Sequence, residues 1–404
     1  MISSMASMIS LAELADDPHP HLAELRRTEP VAWLPALGGW MVTSRTLVLA
    51  ILRDAETFTV DDPRFTTAQV TGPSMLSLDG PEHARHREPF TEPFRPAAVH
   101  SGFAQSVQHE VDRLLDALAG RSEAELRREF AGPLAATVMV QALGLDGVPV
   151  AQVLNWYDAI VQAVHELTEG HPAGPDGPAA YAALRSAVAA TVDVSAGVDA
   201  DAASSTATST PAPTSLLHTA AEALDLPDLA ANAAIMLFGG IETTEAMIAN
   251  LLLHLLTRFP SSPELPARLL ADPELLDAAI EESLRLEPAA AVVDRYATRD
   301  VQLGSAQIRK GDLVTVSLAG ANRDPDVFPD PDTFDPRRAN SRQQLAFAHG
   351  PHYCLGVHLA RLETRLAVRA CLERLPGLRL DPGRPSAIRG LVFRKPGTLW
   401  ALWD

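Results

Sequence analysis

"FAHGPHYCLG", residues 347–356, contains Cys354, one of only two cysteines in a chain of 404 residues. Gly350, Pro351 and Gly356 enforce an irregular backbone there, and a helical pattern begins directly after the cysteine. A sulfur placed at a helix N-terminus faces unpaired N–H groups and a partial positive charge, which favours the thiolate. The other cysteine, Cys371, reads differently. It lies in "LARLETRLAVRACLERL", where Leu359, Leu362 and Leu366 recur at helical spacing, and suits a small buried hydrophobe.

Three uses of a thiolate compete at Cys354. Zinc is suggested by His349, His352 and His358 nearby, but structural zinc takes ligands from two separated pairs and no second knuckle is present. A nucleophile needs a base and an oxyanion site, and neither has a signature here. Haem iron is the third, since one cysteinyl axial ligand favours O–O cleavage. The pattern Phe347-x-x-Gly350-x-x-x-Cys354-x-Gly356 resembles the haem-ligand loop of the cytochrome P450 family. The resemblance implies Cys354 as proximal iron ligand of haem b, Phe347 shielding the sulfur, and Gly350 and Gly356 letting the loop fold beneath the haem. The usual bacterial version reads Phe-Gly-His-Gly. Ala348 stands at its second position, a departure that bears on loop packing rather than ligation.

Three further stretches resemble P450 motifs in the family's order. "FGGIETTE" sits inside a long helical pattern from about Asp228 to Arg258, where two adjacent glycines cost about 1 kcal/mol each relative to alanine. Tight helix packing or close approach of a ligand would each explain them. The P450 oxygen-activating motif maps onto Gly239, Gly240, Glu242 and Thr243, which implies room for dioxygen, a proton-relaying Glu242 and a hydrogen-bonding Thr243. Thr244 points elsewhere around the helix. In "AAIEESLRLEP", spacing alone allows Arg285 to pair with Glu281 or Glu282. The P450 Glu-x-x-Arg motif selects Glu282, and Arg338 in "FPDPDTFDPRR" completes a structural trio. In "DGPEHARHREPF", the resemblance gives His83 and Arg87 to the haem propionates, with Arg295 and His352 completing the set.

The wider composition is that of a globular protein, 47% hydrophobic and 21% charged. A formal charge of −18 argues against nucleic acid as partner, because phosphate binding needs clustered Lys and Arg. Two cysteines cannot form a disulfide framework and suit a reducing cytoplasm. "MISSMASMISLAELADD" lacks a basic signal-peptide start. Glu242, Glu245 and His254 interrupt the most apolar run, as expected of a buried helix rather than a membrane span. The expected fold is mainly α, one helical domain over residues 1–404 with a smaller β-rich region around a buried haem. Strands are expected near 38–44, 312–320 and the C-terminus. A mobile low-complexity loop is expected at about 195–215, and a second break at 169–178.

The resemblance, which spans essentially the whole chain, implies a soluble, cytoplasmic monooxygenase that inserts one atom of O2 into an apolar small molecule in secondary metabolism. Electrons would come from a separate ferredoxin and its reductase, and Arg342, His358, Arg361 and Arg365 read equally as its docking face or as a solvated helix face. Leu76, Ile235, Phe238, Ala291, Val293 and Val392 are the candidate substrate contacts by position. The alternatives are a P450-fold peroxygenase or other non-monooxygenase haem enzyme, and a non-enzymatic haem or gas binder. The acid–alcohol pair Glu242–Thr243 speaks against a peroxide-driven variant, and a gas binder would leave that pair without a purpose.

Overall fold

The short, mostly buried apolar runs "VAWL" and "GWMV" build a hairpin, Val31–Leu34 with Gly39–Val42, closed by a turn at Gly38. In this computed structural model, which describes residues 5–145, 147–168, 171–202 and 215–404, that hairpin starts a five-stranded sheet. Gly39–Val42 pairs in parallel with Leu313–Ser317, which pairs antiparallel with Val292–Ala297, and Phe58–Thr59 forms the far edge. Val42, Val314 and Val316 are fully buried in the apolar cluster beneath it, with Ile51, Leu52, Phe58 and Leu345. These are the early and late strands expected from sequence. The C-terminal strand, Trp400–Leu402, joins a smaller sheet with Glu123–Glu125 and Arg379–Leu380.

The chain divides into two compact units. The first comprises residues 1–59, 111–132 and 242–404, and holds the five-stranded sheet and the helices Pro273–Leu286 and Val357–Arg374. The second comprises residues 60–110 and 133–241, and is helical. The helix Leu226–Arg258, 33 residues long, contributes its first half to the second unit and its second half to the first. Its extent matches the sequence expectation to within two residues.

The stretch Leu226–Ser261 is long and apolar enough to cross a membrane, yet 72% of its apolar window is buried in protein. Such burial is that of a core helix. The break at 169–178 separates two helices, Val150–Thr168 and Asp176–Ala202. The second of these runs on through residues 195–202, which were expected to begin the loop. "SAGVDADA" is rich in alanine, the strongest helix former, and this extends the preceding helix. Residues 203–214 of the expected loop lie outside the described residues.

Candidate active site

Each feature of the cysteine loop has a local cause. The Ala348 amide donates to Leu345 O at 2.9 Å and the Cys354 amide to Phe347 O at 3.0 Å, so the loop folds back on itself before the helix Val357–Arg374 starts. Gly350 has φ +74°, and a methyl there would collide with the Leu52 carbonyl, so only glycine fits. Gly356 is the N-cap of the helix. Ala348 has φ +57°, a left-handed conformation that costs a non-glycine residue about 1–2 kcal/mol. Its methyl packs against the apolar cluster under the sheet. Cys354 is half-buried at the mouth of this loop, whereas Cys371 is fully buried and its thiol is pushed up to about 12 by that burial. The ring of Phe347 is 8% exposed and carries the Arg361 guanidinium over its outer face, 4.7 Å from the centroid.

The long helix shows a second local irregularity. From Leu229 to Leu253 every residue is buried except Phe238, Gly239, Gly240, Glu242 and Thr243. Residues 238, 239, 242 and 243 share one face of a helix, so a single open stripe interrupts a core element. The two glycines serve different ends. A methyl at Gly239 would meet no atom within 4 Å, whereas one at Gly240 would collide with the Met139 thioether of the helix Gly132–Leu143. Gly240 is therefore the packing glycine and Gly239 the open one. Thr243 borders the stripe while Thr244 is 2% exposed. The Glu242 carboxylate lies 2.7 Å from Lys395 Nζ, a partner that sequence spacing did not indicate.

The Glu-x-x-Arg ambiguity is resolved by geometry. Arg285 donates to both Glu282 oxygens at 2.8 Å, and Arg338 Nε reaches the same carboxylate at 3.0 and 3.1 Å. The remaining Arg285 donors go to the carbonyls of Asn322, Pro331 and Thr333. Glu282 and Arg285 are both 0% exposed. Glu281 turns instead to Arg361, at 2.6 and 3.0 Å.

The remaining candidates are distributed between the units. In the first, Arg295 is buried in the strand Val292–Ala297, His352 ends a short 3₁₀ turn two residues before Cys354, and Val293 is half-buried. Ala291 is 2% exposed within an apolar cluster and Val392 is 41% exposed. In the second, His83 is buried, while Leu76, Arg87 and Phe238 are half-buried and Ile235 is 8% exposed. The loop carrying Leu76 is tied to the long helix by Asn232, whose Oδ1 accepts from the Met75 amide at 2.9 Å and whose Nδ2 lies 2.9 Å from His86 Nδ1. That anchor was missed because an asparagine in an apolar helix carries no spacing signal.

These features fit a haem. Of the two thiols the half-accessible one stands just before a helix start, the stripe on a core helix bears an acid and an alcohol, and Arg295 and His83 are each buried within their own unit. Among the described residues no group of three or more His, Cys, Asp or Glu side chains is arranged to hold a metal ion.

Comparison with known proteins agrees. The family model described as Cytochrome P450 matches residues 214–384. Cytochrome P450 monooxygenase PikC of Streptomyces venezuelae is 36% identical over 91% of this chain and 86% of its own. The mycinamicin IV hydroxylase/epoxidase of Micromonospora griseorubida is 33% identical over 94% of both chains. Among solved structures, cytochrome P450 CYP109Q5 from Chondromyces apiculatus superposes with a TM-score of 0.82 at 27% identity, covering 99% of each chain. P450BioI, in complex with an acyl carrier protein ligated to hexadec-9Z-enoic acid, gives 0.78 at 28% identity over 97% of this chain and 100% of that one. The fold is thus the P450 fold, mainly α with several small sheets. Similarity of this extent along nearly the whole length places the protein in the cytochrome P450 family, whose members bind haem b, and makes it a monooxygenase and an oxidoreductase.

Proposed function

We propose that the chain hydroxylates or otherwise oxygenates an apolar small molecule of secondary metabolism in the cytoplasm, using O2 and electrons from a separate ferredoxin and its reductase. The observation that carries this reading is the open stripe on the long helix, bounded by Phe238 and bearing Glu242 and Thr243. Haem held by a cysteine thiolate supplies dioxygen reduction and O–O cleavage.

The chain's own residues do the rest. Cys354 is the iron ligand, and Phe347 with Gly356 shapes its loop. Arg295, His352, His83 and Arg87 are the residues assigned to the propionates. Gly239 leaves its part of the stripe clear. Glu242 carries protons inward and Thr243 directs them by its hydroxyl, which is general-acid work and needs an ionisable group in reach of water. Leu76, Ile235, Phe238, Ala291, Val293 and Val392 line the substrate's surroundings, with Leu76, Phe238 and Val293 favoured by their partial exposure. Hydroxylation or epoxidation is suggested by relatives such as the mycinamicin IV hydroxylase/epoxidase.

The electron donor is assigned to the face formed by the helices Pro273–Leu286 and Val357–Arg374. A hollow of about 230 Å³ there is lined by Asp277, Glu281, Arg342, Arg361 and Arg365. Arg361 is already matched by Glu281 and Arg365 by Asp277 at 2.5 Å, and burial with the nearby Arg361 charge lowers His358 from its ordinary value. Arg342 is the exposed cation of the set. Shape and this one charge, rather than a broad basic patch, are assigned to partner docking.

Two experiments test the reading. Titration of the ferric haem spectrum with apolar natural-product scaffolds should give a saturable spin-state shift for one class. Thr243→Ala should divert electrons into hydrogen peroxide by about 10-fold or more, while Thr244→Ala leaves coupling intact. Tightly coupled product formation in Thr243→Ala contradicts the reading, and full turnover with peroxide alone would favour a peroxygenase.

A further inference from the structure

Lys310 and Lys395 are the only lysines among 33 basic side chains. Lys310 sits exposed in a turn. Lys395 is placed where its chemistry differs most from arginine's. Its Nζ lies 2.7 Å from Glu242 Oε1 and also contacts the Glu245 carboxylate. Glu242 and Glu245 are three residues apart on the long helix, so their like charges are neighbours that one ammonium serves jointly.

The two acceptors differ in setting. Glu245 is fixed from behind: Arg127 Nε is 3.0 Å from its Oε1, and Arg127 is itself tied to the Gly397 carbonyl at 2.6 Å. Gly132 leaves the space that Glu245 occupies, since a methyl there would stand 3.0 Å from Oε1. Glu242, by contrast, borders the open stripe. The backbone beneath Lys395 is also fixed. Its neighbour Arg394 is 2% exposed, bonds Glu287 at 2.5 Å and donates its amide to Ala289 O at 2.9 Å. A compact ammonium with three rotatable donors can keep one carboxylate and release the other, whereas a guanidinium fork would lock onto one of them bidentately.

We propose that Lys395 is a positioning residue for Glu242: anchored on Glu245, its ammonium sets where the Glu242 carboxylate rests and so controls delivery of protons to the open stripe. This rests on the reading of Glu242 as the proton-carrying acid. A lysine that merely neutralised two acids would matter for stability alone.

The test uses the haem-loaded full chain as Lys395→Met, Lys395→Arg, Glu242→Gln and the double variant K395M/E242Q. Intact thiolate ligation is checked by the ferrous–CO spectrum. Thermal melting of the four proteins gives a readout independent of turnover, and the melting decrements of Lys395→Met and Glu242→Gln should be non-additive. With electrons supplied, Lys395→Met should lower kcat about 10-fold, divert electrons into peroxide and leave KM within about twofold. Adding Glu242→Gln should cause no further loss. Lys395→Arg should recover the melting temperature while its coupling stays below that of the parent, and it carries the test if Lys395→Met does not fold. A Lys395→Met protein that melts lower yet keeps parental kcat and coupling overturns the proposal. If Glu242→Gln keeps parental coupling, the assignment of Glu242 fails first and the proposal falls with it.

Discussion

The clamp at Glu282 and the cluster at Glu242 are both carboxylates bridged by cations, and they are built in opposite ways. Glu282 and Arg285 are wholly enclosed, and each Arg285 nitrogen has an acceptor in a side chain or carbonyl. Glu242 and Lys395 each keep 15% of their side-chain surface and lie beside a stripe left open on a core helix. A sealed, saturated ion cluster has nothing left to offer a substrate. Its use is to hold the helix Pro273–Leu286 to the segment 322–338 that leads into the cysteine loop. Residual access with a shared cation is what chemistry requires. Burial and saturation together therefore separate a structural charge from a working one more sharply than motif spacing does.

Arg285→Ala puts this contrast to its hardest test. It leaves a wholly buried carboxylate with Arg338 as its one remaining cation and should cost about 3–5 kcal/mol of unfolding free energy, whereas Glu242→Gln should cost under about 1 kcal/mol. Equal losses in denaturant melts would erase the distinction. Next in size is Glu287, a second sealed hub. Burial alone would raise its carboxyl, but the hydrogen bond and charge of His19 and the guanidiniums of Arg394 and Arg323 hold it at about 2. An acid held below its ordinary value contributes stability that is full above pH 4.5 and lost as pH falls toward about 2. Glu287→Gln should remove on the order of 3 kcal/mol of that acid-side dependence, read as a flatter melting-temperature profile below pH 4.5.

Glu363 sharpens the contrast from the other direction, because it is sealed without being matched. It is 2% exposed, its Oε2 has no hydrogen-bond partner among the described residues, and burial raises it well above the usual carboxylate range. A raised acid contributes stability that is full below pH 4.5 and erodes as pH rises. Glu363→Gln should therefore gain about 1–3 kcal/mol over the parent at neutral pH, with the difference shrinking toward pH 4.5. A constant offset at all pH values would show that the carboxyl does not titrate on unfolding. The smallest effect is backbone strain at the site's edge: Ala348→Gly should stabilise by about 0.5–1 kcal/mol, with unchanged haem spectra.

Much of this was legible in the sequence because the chemistry sits in local patterns. The cysteine loop, the glycine pair and Glu282-x-x-Arg285 are each compact enough for spacing to carry them, and the long helix declared itself by composition. The partners that complete them were hidden by distance along the chain. Lys395 lies about 150 residues from Glu242, and Arg127 more than a hundred on the other side. Spacing could not tell a packing glycine from an open one, because that depends on Met139 from another helix. The reach of the helix through residue 202 was underestimated because small polar residues mask a favourable alanine content. The arginines near the cysteine looked like a basic face, and their carboxylate partners on a helix some 80 residues earlier turned most of them inward.

The scarcity of lysine has a practical side. With one side-chain amine standing free in a turn and the other engaged by two carboxylates, an amine-reactive dye should label Lys310 well ahead of Lys395. Slow labelling at Lys395 would then act as a clock for transient opening of its cluster, since the engaged amine reacts only when its neighbours let go.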